Sequence, residues 1–212
     1  MEPVVPVCKI SLEGIRYKAQ GTGNKVQGIN LKLQSCTLYL VPCTFNSYLL
    51  FMKKEKFEFE FELYNGFAEL NEKDAWLLKE AQAITKQAYA PYSKFFVGAA
   101  ARLKNDKIVT GTNQENASFP VGICAERVLL STISSIYPDV PVETMAISYQ
   151  SSLVKSNHPI SPCGMCRQAL QEFEGRMKNP IRLILGGMEG KIYIIKSVSQ
   201  LLPLAFTNEE LS

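Results

Sequence analysis

Apolar and polar positions alternate with a period of two between Phe57 and Leu63, where the chain reads FEFEFEL. Phenylalanines on one side and glutamates on the other predict a half-buried strand over 57–63, its Glu face turned to water. The period then changes: Leu77, Ala81, Ile84 and Ala88 recur at helical spacing. Asn71 is placed to cap that helix, and Asp74 suits its first turn, where a carboxylate meets the positive end of the helix dipole. Ala90-Pro91 ends it, because proline keeps its predecessor out of the helical region. Residues 97–102 and 107–110 read as two strands around a turn at Asn105-Asp106. A helix over 124–136 carries Leu129, Leu130, Ile133 and Ile136 on its apolar side. Residues 144–149 follow as a strand. Residues 163–174 form another helix, with Leu170 and Phe173 apolar and Gly175 just past its end. Strands are expected at 181–185 and 192–195, then a short helix around 198–202 that stops at Pro203. Strands alternating with helices predict one sheet covered by helices on both faces.

Composition adds a boundary. The net charge is +3, too small for a nucleic-acid sheath or a polybasic membrane anchor. Residues 1–51 hold five Lys/Arg and two Glu, so the 23 basic and 20 acidic residues of the chain leave 18 of each in 52–212. The two stretches are therefore read as an N-terminal extension, 1–51, and a globular domain, 52–212. The extension carries no nameable motif. Met52 followed by Lys53, Lys54 and the alternating segment resembles a native start, so the extension is expected to be poorly ordered or untranslated. The apolar run from Leu38 to Met52 is interrupted by Pro42, Thr44, Asn46 and Ser47 and is too short to span a bilayer. No cleavable signal peptide is evident, which makes the cytoplasm the expected compartment. There, six cysteines point to metal ligands and free thiols before disulfides.

Three of those cysteines fall at predicted helix starts. Cys124-Ala125-Glu126 opens one helix and Pro162-Cys163-Gly164-Met165-Cys166 opens the next. A C-x-x-C turn puts two thiols on one side of a helix start. A third thiol from a second helix start leaves one tetrahedral position open, the arrangement of a catalytic zinc. Helix N-termini favour thiolates through their free N–H groups and dipole. Glu126, two residues past its cysteine, can reach the same pocket without binding the metal and can move protons there. A closed structural zinc site has no use for Glu126. A redox dithiol explains neither Glu126 nor Cys124.

The pairing of Cys-x-Glu with Pro-Cys-x-x-Cys resembles the zinc-deaminase signature in its three-cysteine form. From about Tyr89 to Leu211 the chain resembles the small homotetrameric cytidine deaminases of the cytidine/deoxycytidylate deaminase superfamily. The resemblance is carried by Tyr-Ala-Pro-Tyr-Ser-Lys-Phe (89–95), Val-Gly-Ala-Ala (97–100), Asn-Gln-Glu-Asn-Ala (113–117), Cys-Ala-Glu-Arg (124–127), Ser-Pro-Cys-Gly-Met-Cys-Arg-Gln (161–168) and Leu-Leu-Pro-Leu-Ala-Phe (201–206). It implies an α/β fold, a three-layer α/β/α sandwich around a mostly five-stranded mixed sheet. It also implies one Zn2+ per chain and hydrolytic deamination of cytidine and 2′-deoxycytidine to uridine and 2′-deoxyuridine in pyrimidine salvage.

The same resemblance implies roles for single residues. Cys124, Cys163 and Cys166 hold the metal, and Glu126 is the catalytic proton carrier. Asn113 and Glu115 bind the ribose 3′-hydroxyl, Phe95 packs on the pyrimidine ring, and the Ala125 N–H meets the base carbonyl. Phe206 reaches into a neighbouring subunit's pocket, and Phe119 stands where relatives often carry Tyr. Three thiolates over-neutralise a dication and blunt its Lewis acidity, so Arg127 donating to the sulfurs would draw charge off them. His158, the single histidine, is expected to stand apart from the metal. The alternatives are a deaminase of a modified cytosine nucleoside and a non-catalytic zinc-binding relative. Balanced charge over 52–212 and the Asn113/Glu115 pair speak against a nucleotide or nucleic-acid substrate. No membrane partner is expected.

Overall fold

A computed structural model describes residues 53–211 of the chain. The proposed extension, 1–51, with Cys8, Cys36 and Cys43, lies outside the described residues. Within them a six-stranded sheet runs in the order β1-β6-β5-β4-β2-β3. The strands are β1 (Glu62–Tyr64), β2 (Phe95–Leu103), β3 (Ile108–Thr112), β4 (Val142–Ser151), β5 (Arg182–Gly186) and β6 (Ile192–Ile195). Three helices complete the layers: α1 (Glu72–Ile84), α2 (Ala125–Ile136) and α3 (Gly164–Met177).

Strand alternation sorts the core onto two faces. Ala100, Ala146 and Ile184 face α1 through Leu77, Leu78 and Ala81. Their strand neighbours Ala99, Ala101, Met145, Ile147, Leu183 and Leu185 face the other way, onto Leu129 and Ile133 of α2 and Leu170 and Phe173 of α3. The expected α/β/α sandwich is thus present, with one helix on one side and two on the other.

Strand direction places the ends of α2 and α3. β2 is antiparallel to both β3 and β4, so β3 and β4 run the same way and finish at the same end of the sheet. α2 follows β3 and α3 follows β4. Both helices therefore begin at that end. β4 and β5 are parallel, which needs a crossover, and α3 supplies it.

Asn71 caps α1 as expected, its side chain accepting from the Asp74 N–H at 3.0 Å. The α-helix stops at Ile84, and a 3₁₀ turn, Thr85–Gln87, takes the chain to Ala90-Pro91. Asp74 is 3% exposed and receives both Arg182 guanidinium nitrogens, at 2.8 and 2.7 Å. The pair ties α1 to β5.

Two expectations need correction. The alternating stretch 57–63 contributes a strand only at Glu62–Tyr64, a sixth strand antiparallel to β6. Glu62 already pairs with Ile194, and β6 stops at Ile195, so no ladder remains opposite Phe59 and Phe57. Phe57, Phe59 and Phe61 instead line a groove with Tyr193, Leu201 and Pro203. Their alternation records one-sided packing without sheet hydrogen bonds. Helix α3, in turn, runs through Gly175 to Met177. Lys178, at φ 49°, makes the left-handed cap that glycine was expected to supply.

Candidate active site

Cys124 is the N-cap of α2 and Cys163 the N-cap of α3, while Cys166 lies in the first turn of α3. The common starting end of the two helices brings the thiols together. Cys124 Sγ is 3.8 Å from Cys163 Sγ, and Cys163 Sγ is 3.5 Å from Cys166 Sγ. All three sulfurs lie within 4.8 Å of one another. Tetrahedral zinc–sulfur bonds of about 2.3 Å set sulfurs about 3.8 Å apart, so this donor set fits a zinc ion. All three are free thiols, none of them joined in a disulfide, which would hold its sulfurs about 2.05 Å apart.

The thiols are electrostatically unequal. A hydrogen bond from the Cys166 thiol lowers the pKa of Cys124 to about 6. Burial and the Glu126 carboxylate oppose it, while Cys163 and the Arg127 charge assist. Cys166 keeps the proton the pair shares and moves strongly upward, through its bond to Cys124, its burial and the nearness of Glu126. One ready thiolate and one thiol whose proton a cation would displace suit a metal site.

Glu126 is 5% exposed in the first turn of α2. Burial pushes its carboxyl above the ordinary value, against contacts to its own backbone and to the Cys166 thiol. A carboxyl so placed exchanges a proton closer to neutral pH than a solvated one does.

Residues 113–115 are bound to the same corner. Gln114 and Ile123 exchange backbone hydrogen bonds at 2.9 and 3.0 Å, immediately before Cys124. Tyr89 N–H donates to the Asn113 carbonyl, and Glu115 N–H donates to the Tyr89 carbonyl. The Asn113 amide clamps the start of β2, its Oδ1 accepting from Val97 N at 2.7 Å and its Nδ2 donating to Phe95 O at 2.9 Å. Glu115 accepts from the Tyr92 N–H at 2.9 Å and from the Ser93 N–H. Burial raises its carboxyl, but these bonds and the Lys94 charge hold it below the ordinary value. Each side chain keeps capacity: the second Nδ2 hydrogen of Asn113 and the remaining lone pairs of Glu115.

Phe95 is half-buried and stacks on Tyr149, with centroids 4.8 Å apart and planes at 18°. The Ala125 N–H belongs to the first helical turn, where a helix offers no internal acceptor. Arg127 makes no hydrogen bond to a cysteine sulfur among the described residues. Its charge favours the Cys124 thiolate, and its side chain lines a groove between α2 and α3 with Leu130, Phe173 and Arg176. Phe206 is 58% exposed, and its carbonyl accepts from Gln168 of α3. His158 stands outside the thiol cluster, against Tyr149.

One positioning residue went unread in the sequence. Gly111 lies where a Cβ would come within 2.6 Å of Leu129 N and 2.7 Å of Ala125 O, the first-turn backbone of α2. A glycine inside a strand is the signal for such a close approach.

A family model described as "Cytidine and deoxycytidylate deaminase zinc-binding region" matches residues 71–179. This chain belongs to that family. A cytidine deaminase of Halalkalibacterium halodurans is 38% identical over 136 residues, 64% of this chain and 96% of the relative. A cytidine deaminase of Sporosarcina psychrophila is 34% identical over 137 residues, 64% of this chain and 93% of the relative. The crystal structure of the cytidine deaminase from Burkholderia pseudomallei superposes with a TM-score of 0.55 at 34% identity, covering 65% of this chain and all of the other. The deaminase family, its α/β fold and its zinc-binding region are therefore common ground between sequence and structure.

Proposed function

We propose that this protein hydrolyses cytidine and 2′-deoxycytidine to uridine and 2′-deoxyuridine, releasing ammonia. The observation that carries the reading is the corner itself: three thiols within 4.8 Å at two helix starts, with the buried Glu126 carboxyl two residues from one of them. Cys124, Cys163 and Cys166 would hold one zinc ion. When bound, the ion supplies Lewis acidity and makes water acidic enough to act as a nucleophile near neutral pH.

The remaining work belongs to side chains of this protein. Glu126 takes the proton that water loses as its oxygen attacks C4 of the ring, and gives it to N3. The remaining hydroxyl proton travels by the same carboxylate to the departing amino group, so the C4–N bond breaks and a carbonyl forms. The Ala125 N–H orients the base through its carbonyl oxygen, and Phe95 packs on the ring. Asn113 and Glu115 use their free hydrogen-bonding capacity on the ribose 3′-hydroxyl. Arg127 tempers the charge of the sulfurs.

The catalytic unit comprises residues 52–212, with 1–51 as an extension. A homotetramer is the assembly this reading favours. Exposed Phe206 is free to enter a neighbour's pocket, and Tyr92, Phe119 and Val121 form an exposed apolar surface, Phe119 being 76% accessible. Among the described residues no helix is long and apolar enough to cross a membrane. Reduced thiols at the corner favour the cytoplasm as the working compartment.

Loss of the cytosine absorbance band on incubation with cytidine and deoxycytidine, alongside about one zinc per chain in the same sample, is the expected result. Bound zinc without turnover of either nucleoside would overturn the assignment. Light scattering reads the assembly, and a fully active monomer would remove the shared-site role of Phe206.

A further inference from the structure

The ring of Phe95 is not held by its own strand alone. In the β2–β4 ladder Phe95 pairs with Ser151 and Val97 with Tyr149, which makes Phe95 and Tyr149 diagonal neighbours. Alternation from Ala99 and Ala101 on β2, and from Met145 and Ile147 on β4, puts both rings on the α2–α3 face, the layer that carries the cysteines. Diagonal partners are within reach of aromatic side chains, and here the rings stack nearly parallel, 4.8 Å apart.

Tyr149 is fully buried, and its hydroxyl is held by the loop that follows β4. The Oη hydrogen goes to the Lys155 carbonyl at 3.2 Å, a group that can only accept. The His158 ring lies against the same oxygen, with Nδ1 at 3.1 Å and Nε2 at 3.3 Å. Asn157 Oδ1 lies 3.4 Å from His158 Nδ1.

The loop is pinned in turn. Ser151 N–H donates to Ser156 Oγ at 3.0 Å, and Met188 N–H donates to Ser156 O at 2.7 Å. At Gly187 a Cβ would stand 2.3 Å from Ser156 O, so the turn before β6 can approach the loop this closely only with glycine there. Gly187 O is itself fixed by Ser148 Oγ at 3.1 Å and by Gln82 Nε2 of α1 at 2.8 Å.

We propose that Tyr149 and His158 are positioning residues for base recognition. The Tyr149 ring backs Phe95, and the 152–158 loop, through Lys155 and His158, holds Tyr149 in place. The inference rests on the reading that Phe95 packs on the pyrimidine. It adds that nucleoside affinity depends on two residues that touch neither nucleoside nor metal.

A double-mutant cycle on the zinc-loaded enzyme tests it. Phe95→Ala, Tyr149→Leu and the double variant are compared in KM and kcat for cytidine, in inhibition by uridine, and in zinc content. An aromatic pair of this kind accounts for about 3- to 10-fold in binding, so Tyr149→Leu should raise KM and the uridine inhibition constant by about that factor. kcat and zinc content should stay near wild type. In the Phe95→Ala background the same change should add nothing, because the ring it supports is gone. His158→Ala, at an exposed position that leaves the core intact, should show a smaller rise with the same dependence on Phe95. It also serves in the cycle if Tyr149→Leu does not fold. Additive effects, or a Tyr149 variant with unchanged KM and uridine inhibition, would overturn the positioning role while leaving Phe95 on the base. Phe95→Ala with unchanged KM would overturn the base-stacking reading and this proposal with it.

Discussion

Gly111→Ala places one methyl group between β3 and α2, and its cost can be followed to the chemistry. The added Cβ would meet Leu129 N at 2.6 Å, Ala125 O at 2.7 Å and Leu129 Cβ at 2.8 Å. Ordinary contact begins near 3.5 Å, so α2 must retreat by roughly 0.8 Å at its first turn. No flexible side chain can give way, because two of the three obstacles are backbone. Overpacking of this kind costs about 1–3 kcal/mol. For a domain of this size that is a melting-temperature drop of about 2–12 °C. The displaced turn carries Cys124 and Glu126, whereas Cys163 and Cys166 ride on α3 and stay. A misplacement near 1 Å costs on the order of 10²-fold in rate, so kcat/KM for cytidine should fall by about that factor, with weakened zinc retention against a chelator. Calorimetry, zinc content and steady-state kinetics read the three effects. Gly175→Ala is the control: its Cβ meets nothing within 4 Å on α3, and the helix should gain slightly in stability. A Gly111→Ala enzyme with wild-type melting temperature and kcat/KM would refute the claim that β3 sets the position of the α2 start.

Glu126→Gln keeps the volume and the zinc ligands but cannot carry a proton, so kcat should fall by about 10²–10⁴-fold with zinc content unchanged; robust turnover would remove Glu126 from the reaction. Asp74→Asn breaks a buried ion pair with Arg182 and should cost about 3 kcal/mol, read by urea denaturation. Burial raises the Asp74 carboxyl, but Arg182 and Asn71 more than reverse this and hold it below the ordinary value. Its contribution is therefore fully present above about pH 4 and is lost as pH falls through the lower folded pKa. The variant's stability should be flatter over that acid window, and an acid limb identical to wild type would contradict the pairing. Arg127→Ala should lower kcat by about 10-fold while zinc stays bound, and unchanged rate constants would show that its charge does not reach the sulfurs in effect.

The chemistry of the corner was legible because it is local. Cys124, Glu126, Cys163 and Cys166 announce themselves by spacing and by the helix starts they occupy, and the structure puts both flanking cysteines at N-caps. Periodicity likewise gave α1, whose cap Asn71 is marked by residue type, and the buried Leu129, Leu130 and Ile133 of α2, whereas Ile136, expected on the same side, is 60% exposed at the end of that helix. Phe57 to Phe61 misled for a physical reason. Alternation reports which side packs, and a strand also needs a partner of sufficient length, which four-residue β6 does not provide. The cap of α3 at Lys178 escaped because a left-handed lysine has no compositional mark. Tyr149 and His158 were illegible for a different cause. The Phe95–Tyr149 stack depends on the β2–β4 register across more than fifty residues of chain, and no pattern within either strand encodes that register. His158 read as a solitary loop residue because its partner is defined only after the loop closes.

The thiol corner also bears on the stability of the sheet. Cys124 precedes β4, and Cys163 and Cys166 follow it, so a central strand of the sheet lies in the chain between the two halves of the corner. A metal held by both helix starts would therefore close a loop between residues 39 apart that contains the whole of β4. Metal bound by the folded chain and not by the unfolded one would strengthen the sheet along with the corner. A chelator should then lower the melting temperature of the whole domain and not loosen the helix starts alone.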